Sequence, residues 1–267
     1  QLQAVFERSE REPKPNSAVV IAVAGARSGV GATTLAVNLA AALTATASTI
    51  LVDFEPRSKA AVQLGLVFFS GLQDKLERDP AGINRESVEA ALTTHQRNGL
   101  RFLAMDDRGI EPVRSATILQ HLLAMCEVCV IDLGCEFGVA RRALMQMADV
   151  CMLVVDSEPQ ALIQAKRVIQ SLSTVNLQPG ALKLIGIHRL GTPVDIAQKM
   201  LRAALDHDLT AIIGPASEAL LEALDRGQPI VLSDPDHPVA IQMRDLAFSL
   251  LETGPRVAEF AYGGKDS

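Results

Sequence analysis

The sequence predicts an α/β fold of three layers, with a doubly wound, mainly parallel sheet at the centre and helices on both faces. Three observations carry that prediction. Compact apolar runs rich in Val, Ile and Leu recur along the chain, as expected for strands buried on both faces. Helical patterns separate most of these runs, and such alternation winds as right-handed βαβ units. The first run opens through a glycine-rich turn straight into a helical pattern, and in such folds ligands bind beyond the carboxyl ends of the strands.

Taken in order, residues 18–24 (AVVIAVA) read as the first strand and residues 33–44 as the first helix. Residues 48–53, 100–104, 128–133, 150–156 and 182–187 read as the next five strands, with 210–213 a candidate seventh. Helical spacing marks residues 114–125, 138–147, 160–172, 195–205, 216–225 and 239–251. Pro159 suits a helix start, because its missing N–H would have been an orphan there. Asp195 suits an N-cap or first-turn position. There is no internal repeat or low-complexity tract. The expected organisation is a polar linker over residues 1–16, one domain over 17–253, and a flexible tail over 254–267.

Hydrophobic residues make up 48% of the 267, ample for a buried sheet. The net charge of −6 argues against a broadly basic, DNA-coating surface. The absence of Trp and the single Tyr argue against base stacking. No apolar stretch reaches the roughly 18–20 residues that span a bilayer, so no integral membrane segment is expected. Of the four cysteines, Cys126 and Cys129 have zinc-like spacing without a second pair to complete a site. Cys129 and Cys151 fall in apolar runs and read as buried thiols, whereas Cys135 falls in a loop where a ligand would sit. With the thiols read as reduced and residues 1–16 lacking an apolar signal core, the expected compartment is reducing and cytoplasmic.

The segment Gly25-Ala26-Arg27-Ser28-Gly29-Val30-Gly31-Ala32-Thr33-Thr34 follows a strand and precedes a helix. That is the context of a P-loop, and it makes the expected fold P-loop NTPase-like. Gly29 and Gly31 let the backbone turn tightly and approach phosphate oxygens. Successive N–H groups and the helix N-terminus then face the anion. Thr33 occupies the position whose hydroxyl meets Mg²⁺, and Thr34 lies near the α-phosphate. Ala32 stands where the general pattern has a lysine reaching the β- and γ-phosphates. A methyl group neutralises no phosphate charge, and loss of that cation costs most in the transition state. The expected ligand is therefore a nucleotide with Mg²⁺, with turnover slow or absent unless Arg27 or a partner supplies charge. A glycine-rich strand-to-helix turn holding no nucleotide is the alternative.

Two apolar strands end in carboxylates, in Ile50-Leu51-Val52-Asp53-Phe54-Glu55-Pro56 and in Val130-Ile131-Asp132-Leu133-Gly134. Carboxylates at strand ends beside a P-loop hold Mg²⁺ or position the attacking water. Asp53 is the candidate for orienting water and Asp132 for the Mg²⁺ site; each could instead cap a turn or the following helix. Glu55 reads as a solvated loop charge. Asp156 reads as initiating the helix near Gln160, with a place in the pocket as the alternative.

These residues resemble the deviant Walker A loop of the ParA/MinD superfamily, patterned Lys-Gly-Gly-x-Gly-Lys-Thr-Thr, and the likeness runs over most of the chain, residues 18–251. The resemblance implies that Arg27 stands at the signature lysine, which reaches across a dimer to the partner's nucleotide. Ser28 replaces a glycine and Ala32 the loop lysine. It implies that Asp53 and Asp132 are the switch I and switch II aspartates. It also implies that Ser28, Gly29, Val30, Gly31, Ala32, Thr33 and Thr34 contact the nucleotide. His188-Arg189 falls where the family has Asn-Arg reading adenine, and His188 could do so through a ring nitrogen or be an ordinary strand-end histidine.

A loop ending Gly-Ala-Thr-Thr looks like the CpaE/TadZ branch, as do residues 95–104 and Gly227-Gln228-Pro229. That branch implies a homodimer acting with protein partners of a pilus-assembly or secretion apparatus, in the placement of tight-adherence (Flp-type) pili. Such a protein would be cytoplasmic, polar or peripheral to the inner membrane through those partners. Members often carry an N-terminal receiver-like domain, after which this polar start would fit. The competing expectations are an active partitioning or positioning ATPase, and a scaffold whose degenerate loop binds no nucleotide.

Overall fold

The computed structural model describes residues 18–55, 58–66, 72, 83–105, 112–188 and 193–253. The expected linker and tail lie outside them. The described elements run, in chain order, β1 (Val19–Gly25), α1 (Ala32–Leu43), β2 (Thr49–Asp53), α2 (Lys59–Gln63), α3 (Arg85–Glu89), β3 (Thr93–Thr94), β4 (Arg101–Ala104) and α4 (Pro112–Leu123). They continue β5 (Val128–Asp132), α5 (Val139–Met147), β6 (Val150–Asp156), α6 (Pro159–Leu172), β7 (Leu182–Ile187), α7 (Val194–Leu205), β8 (Leu209–Ile213), α8 (Ser217–Asp225), α9 (Ile230–Ser233) and α10 (Pro238–Thr253).

The strands form one eight-stranded sheet in the order β3-β4-β2-β5-β1-β6-β7-β8. All neighbours pair in parallel except β3, which lies antiparallel to β4 at the edge. Because strand side chains alternate, each central strand feeds two cores. In β1, Val19, Ile21 and Val23 enter one core, and Val20, Ala22 and Ala24 enter the other. β5 and β6 divide in the same way, Val130 and Met152 going to the first core and Ile131 and Leu153 to the second. The first core is closed by α1, α2, α8, α9 and α10, the second by α3 to α7. This is the three-layer architecture that the alternation of strand and helix predicted.

α1 has no solvated face. Leu35 through Leu43 are all buried, since the helix is wedged between the sheet and α10. The alanine-rich stretch permits this close approach. Asn38, buried within it, finds partners in the Thr34 carbonyl at 2.8 Å and the Val231 N–H at 3.1 Å, tying α1 to α9.

The expected strands are all present, within one residue at each end, and 210–213 is indeed a strand. Pro159 opens α6, and Asp195 lies in the first turn of α7, behind an N-cap at Pro193. Among the described elements, four short ones escaped the sequence pattern: α2, α3, β3 and α9. Each has five residues or fewer, too few for a 3.6-residue period to show. Residues 95–104 form the β3–β4 turn and strand, in which Asn98 binds His95 Nδ1 at 2.7 Å and reaches the Ala41 carbonyl of α1.

Two glycines meet where α2 and α8 end. Gly65 and Gly227 both have φ near +60°, and a Cβ on Gly65 would lie 2.8 Å from the Gly227 carbonyl oxygen. This contact brings Gln63 and Gln228 to the same cavity. Gly65→Ala therefore combines a left-handed alanine with a backbone clash. It should cost about 1–3 kcal/mol in urea denaturation, and an unchanged midpoint would show that the two turns separate freely.

Candidate nucleotide site

The turn after β1 is pinned from both sides. The Gly25 N–H donates to the Gly134 carbonyl at 2.7 Å, and the Ala26 N–H to the Val154 carbonyl at 2.9 Å. These partners follow β5 and belong to β6, the two strands that flank β1. The chain then turns through Gly29 (φ 72°) and Gly31 (φ 108°), conformations that favour glycine. Gly31 is the N-cap of α1, with no side-chain cap and no acidic residue in the first turn. The first N–H groups of a 12-residue helix thus face the loop cavity without a side-chain cap. A cavity of about 190 Å³ lies there, lined by the whole loop from Arg27 to Thr34. A second, of about 380 Å³, shares Gly31, Thr34 and Gln63 with it and runs toward β7, β8 and α8.

Asp53 and Asp132 are paired in register on adjacent parallel strands, and both are fully buried. Burial first, and then Asp53 opposite it, push the Asp132 carboxyl up to about 7, while the Thr33 hydroxyl and the Gly134 N–H pull the other way. One Asp132 oxygen accepts from Gly134 N at 3.0 Å. The other, Oδ2, is buried without a hydrogen-bond partner. Asp53 is also raised by burial, but its oxygens are well used: Oδ1 accepts from Glu55 N, and Oδ2 from the Ser58 hydroxyl at 2.6 Å and Ala60 N at 3.2 Å. In this conformation Asp53 anchors the start of α2, the capping role weighed against water orientation.

The site fits a phosphate with a divalent cation on its own geometry. The glycine turn and uncapped helix suit the anion, and the orphaned Asp132 oxygen beside Thr33 suits a hard cation. Gly29 to Thr34 would hold the phosphates, and Thr33 with Asp132 the metal.

Arg27 does not point outward. Its guanidinium binds Asp156 through Nε, at 2.9 Å, and Nη2, and it reaches Glu158 at 3.1 Å. Asp156 also accepts from Glu158 N at 3.1 Å. It therefore shapes the turn before α6, as its sequence position suggested, and also ties that turn to the phosphate loop. Glu55, read as a solvated charge, is half-buried over Gly134, 3.8 Å from Arg141. Arg141 had no signal in the sequence. It is buried, and it donates to the carbonyls of Leu133, Phe54 and Glu136, joining the carboxyl ends of β2 and β5. A buried guanidinium costs several kcal/mol to desolvate; these carbonyls and Glu55 offset it.

His188 is buried at the end of β7 and lines the larger cavity with Gln228 and Pro229. Arg189 lies outside the described residues. Cys135 lines the loop cavity, its thiol raised by burial. Cys126 beside it, and burial, push the Cys129 thiol well up, which disfavours the thiolate a metal would need. Cys151 is buried, as expected. Among the described residues no group of three or more metal-ligating side chains occurs, and no helix is long and apolar enough to cross a membrane.

The raised Asp132 carboxyl has a consequence for stability. The folded protein takes up a proton at Asp132 near pH 7, whereas the unfolded chain does so only near the ordinary 3.8. Without metal, stability should therefore rise as pH falls from 8 to 5, by ~2–4 kcal/mol. Asp132→Asn should be the more stable protein at pH 8 and should lose most of this slope. Urea denaturation at the two pH values checks both, and equal slopes in parent and variant would clear Asp132 of the effect.

Comparison with known proteins agrees with this fold. The family model for the CobQ/CobB/MinD/ParA nucleotide binding domain matches residues 21–230. The ParA family ATPase of Chlorobium tepidum superposes with a TM-score of 0.77 at 17% identity, covering 88% of this chain and 99% of that one. The septum site-determining protein MinD of Pyrococcus horikoshii, solved with Mg-ADP, superposes at 0.72 with 21% identity over 91% of this chain and 98% of that one. In sequence, the chain is 28% identical to the iron-sulfur cluster carrier protein of Salmonella typhimurium over 91% of its own length and 69% of that protein's. The chain belongs to the CobQ/CobB/MinD/ParA family of nucleotide-binding domains.

Proposed function

We propose that this protein binds ATP with Mg²⁺ across the two joined cavities, hydrolyses it slowly or not at all, and works as a nucleotide-linked homodimer. The observation that carries this reading is the uncapped N-terminus of α1 behind a two-glycine turn, with the buried, unpartnered Asp132 oxygen beside it. Phosphates would lie on the Gly29–Thr34 amides and the nucleoside in the larger cavity, near His188 and Gln228. Mg²⁺ would neutralise phosphate charge there.

Slow turnover follows from Ala32, whose buried methyl occupies the place of a cation. Asp53 supports that reading, since its Oδ2 is engaged by Ser58 and Ala60 at the start of α2. Arg27 keeps a cation at the signature position, and reaching a partner's phosphates requires it to leave Asp156 and Glu158. The loop ending and the two further stretches noted above favour a CpaE/TadZ-type role in localising and assembling tight-adherence pili through protein partners.

Isothermal titration with ATP and Mg²⁺ should give saturable binding, and Asp132→Ala should abolish its dependence on Mg²⁺. A parent indifferent to every nucleoside di- and triphosphate would leave only the scaffold reading. In a phosphate-release assay the parent should stay near background and Ala32→Lys should exceed it; brisk turnover by the parent would make it an active positioning ATPase instead. Deleting the gene in its source organism should remove surface pili.

A further inference from the structure

We propose that Lys59, at the first position of α2, supplies from the opposite wall the ammonium group that the loop lacks at Ala32. The inference rests on the nucleotide-binding reading and concerns which side chain carries the charge.

A tri- or diphosphate brings several negative charges into a cavity whose loop offers one cation, Arg27, beside backbone amides and hydroxyls. Among the described residues, two cationic side chains line that cavity, Arg27 and Lys59. Arg27 is already shared between Asp156 and Glu158, so its charge is cancelled locally. Lys59 is exposed, and among the described residues it forms no ion pair. Arg141, the other cation near the site, is buried behind Gly134 with its donors committed to carbonyls.

The position of Lys59 is set by its neighbours. Asp53 Oδ2 binds Ser58 and Ala60, the residues on either side of it. Four residues on, and hence on the same face of the helix, Gln63 donates to the Thr34 hydroxyl at 3.3 Å. The face of α2 that carries Lys59 is thus docked on the phosphate loop at one end and hung from β2 at the other. Cys135, which follows β5 and lines the same cavity, feels the Arg141 charge and then that of Lys59, both opposing the upward push of burial on its thiol. A flexible four-carbon stem ending in a compact ammonium suits such a reach. The arrangement also gives Asp53 a purpose suited to a slow enzyme: it positions a cation.

The test is the affinity of the purified protein for ATP and for inorganic tripolyphosphate, each with Mg²⁺, by isothermal titration. Lys59→Ala should weaken both by roughly 10- to 100-fold, with an unchanged thermal melt because the side chain is exposed. Lys59→Arg should recover part of the loss, and adding Ala32→Lys to Lys59→Ala should recover most of it. If the parent binds and Lys59→Ala binds equally well, Lys59 is not the missing cation and the nucleotide reading stands. If Ala32→Lys fails to rescue, Lys59 acts on the fold of the switch segment rather than on phosphate charge. A parent that binds neither probe removes both readings together.

Discussion

The site rests on two backbone hydrogen bonds, Gly25 N–H to Gly134 and Ala26 N–H to Val154, which hold the turn after β1 between the strands on either side. Neither involves a side chain, so neither depends on what the loop is made of. They exist because β1 is central and its neighbours run parallel to it, ending in register at the same edge of the sheet. From that fixed point the glycine turn can only deliver the N-terminus of α1 to one place. The carboxylates at the ends of β2 and β5 lie beside it for the same reason.

Electrostatics then sets two opposing features side by side at the carboxyl ends of the strands. Two buried carboxylates side by side are costly, and the upward shift of Asp132 measures the cost of ionising it there. The uncapped helix end and Lys59 favour negative charge a few residues away. Carboxylates buried beside the loop and a helix end that favours negative charge together suit an anion carrying a divalent cation. Arg141 shows how the surrounding frame is kept in place: one buried guanidinium satisfies carbonyls from the ends of two strands, so that those ends do not spread.

Membership in the CobQ/CobB/MinD/ParA family establishes the architecture and the nucleotide-binding class. Identities of 17% to 28% to the proteins compared above do not carry an activity across. The name of the Salmonella relative stays with that protein; here Cys126 and burial push the Cys129 thiol well up. The features that bear on activity in this chain are local: Ala32 in the loop, Arg27 tied to Asp156, and a lysine on the neighbouring helix.

By itself the sequence determined the strands, the long helices, the phosphate loop and the two acidic strand ends. Each is written in short-range order: an apolar run, a helical period, glycines between a strand and a helix, or an aspartate at the end of a run. Only the tertiary structure decided that Asp156 faces Arg27, that Arg141 is buried under Glu55, that Asn38 joins α1 to α9 and that Lys59 shares a cavity with Ala32. Arg27 and Asp156 are separated by 129 residues, and Asn38 and Val231 by 193. Contacts at such distances arise from strand order, and strand order is set by how whole faces pack rather than by any pattern of neighbouring residues.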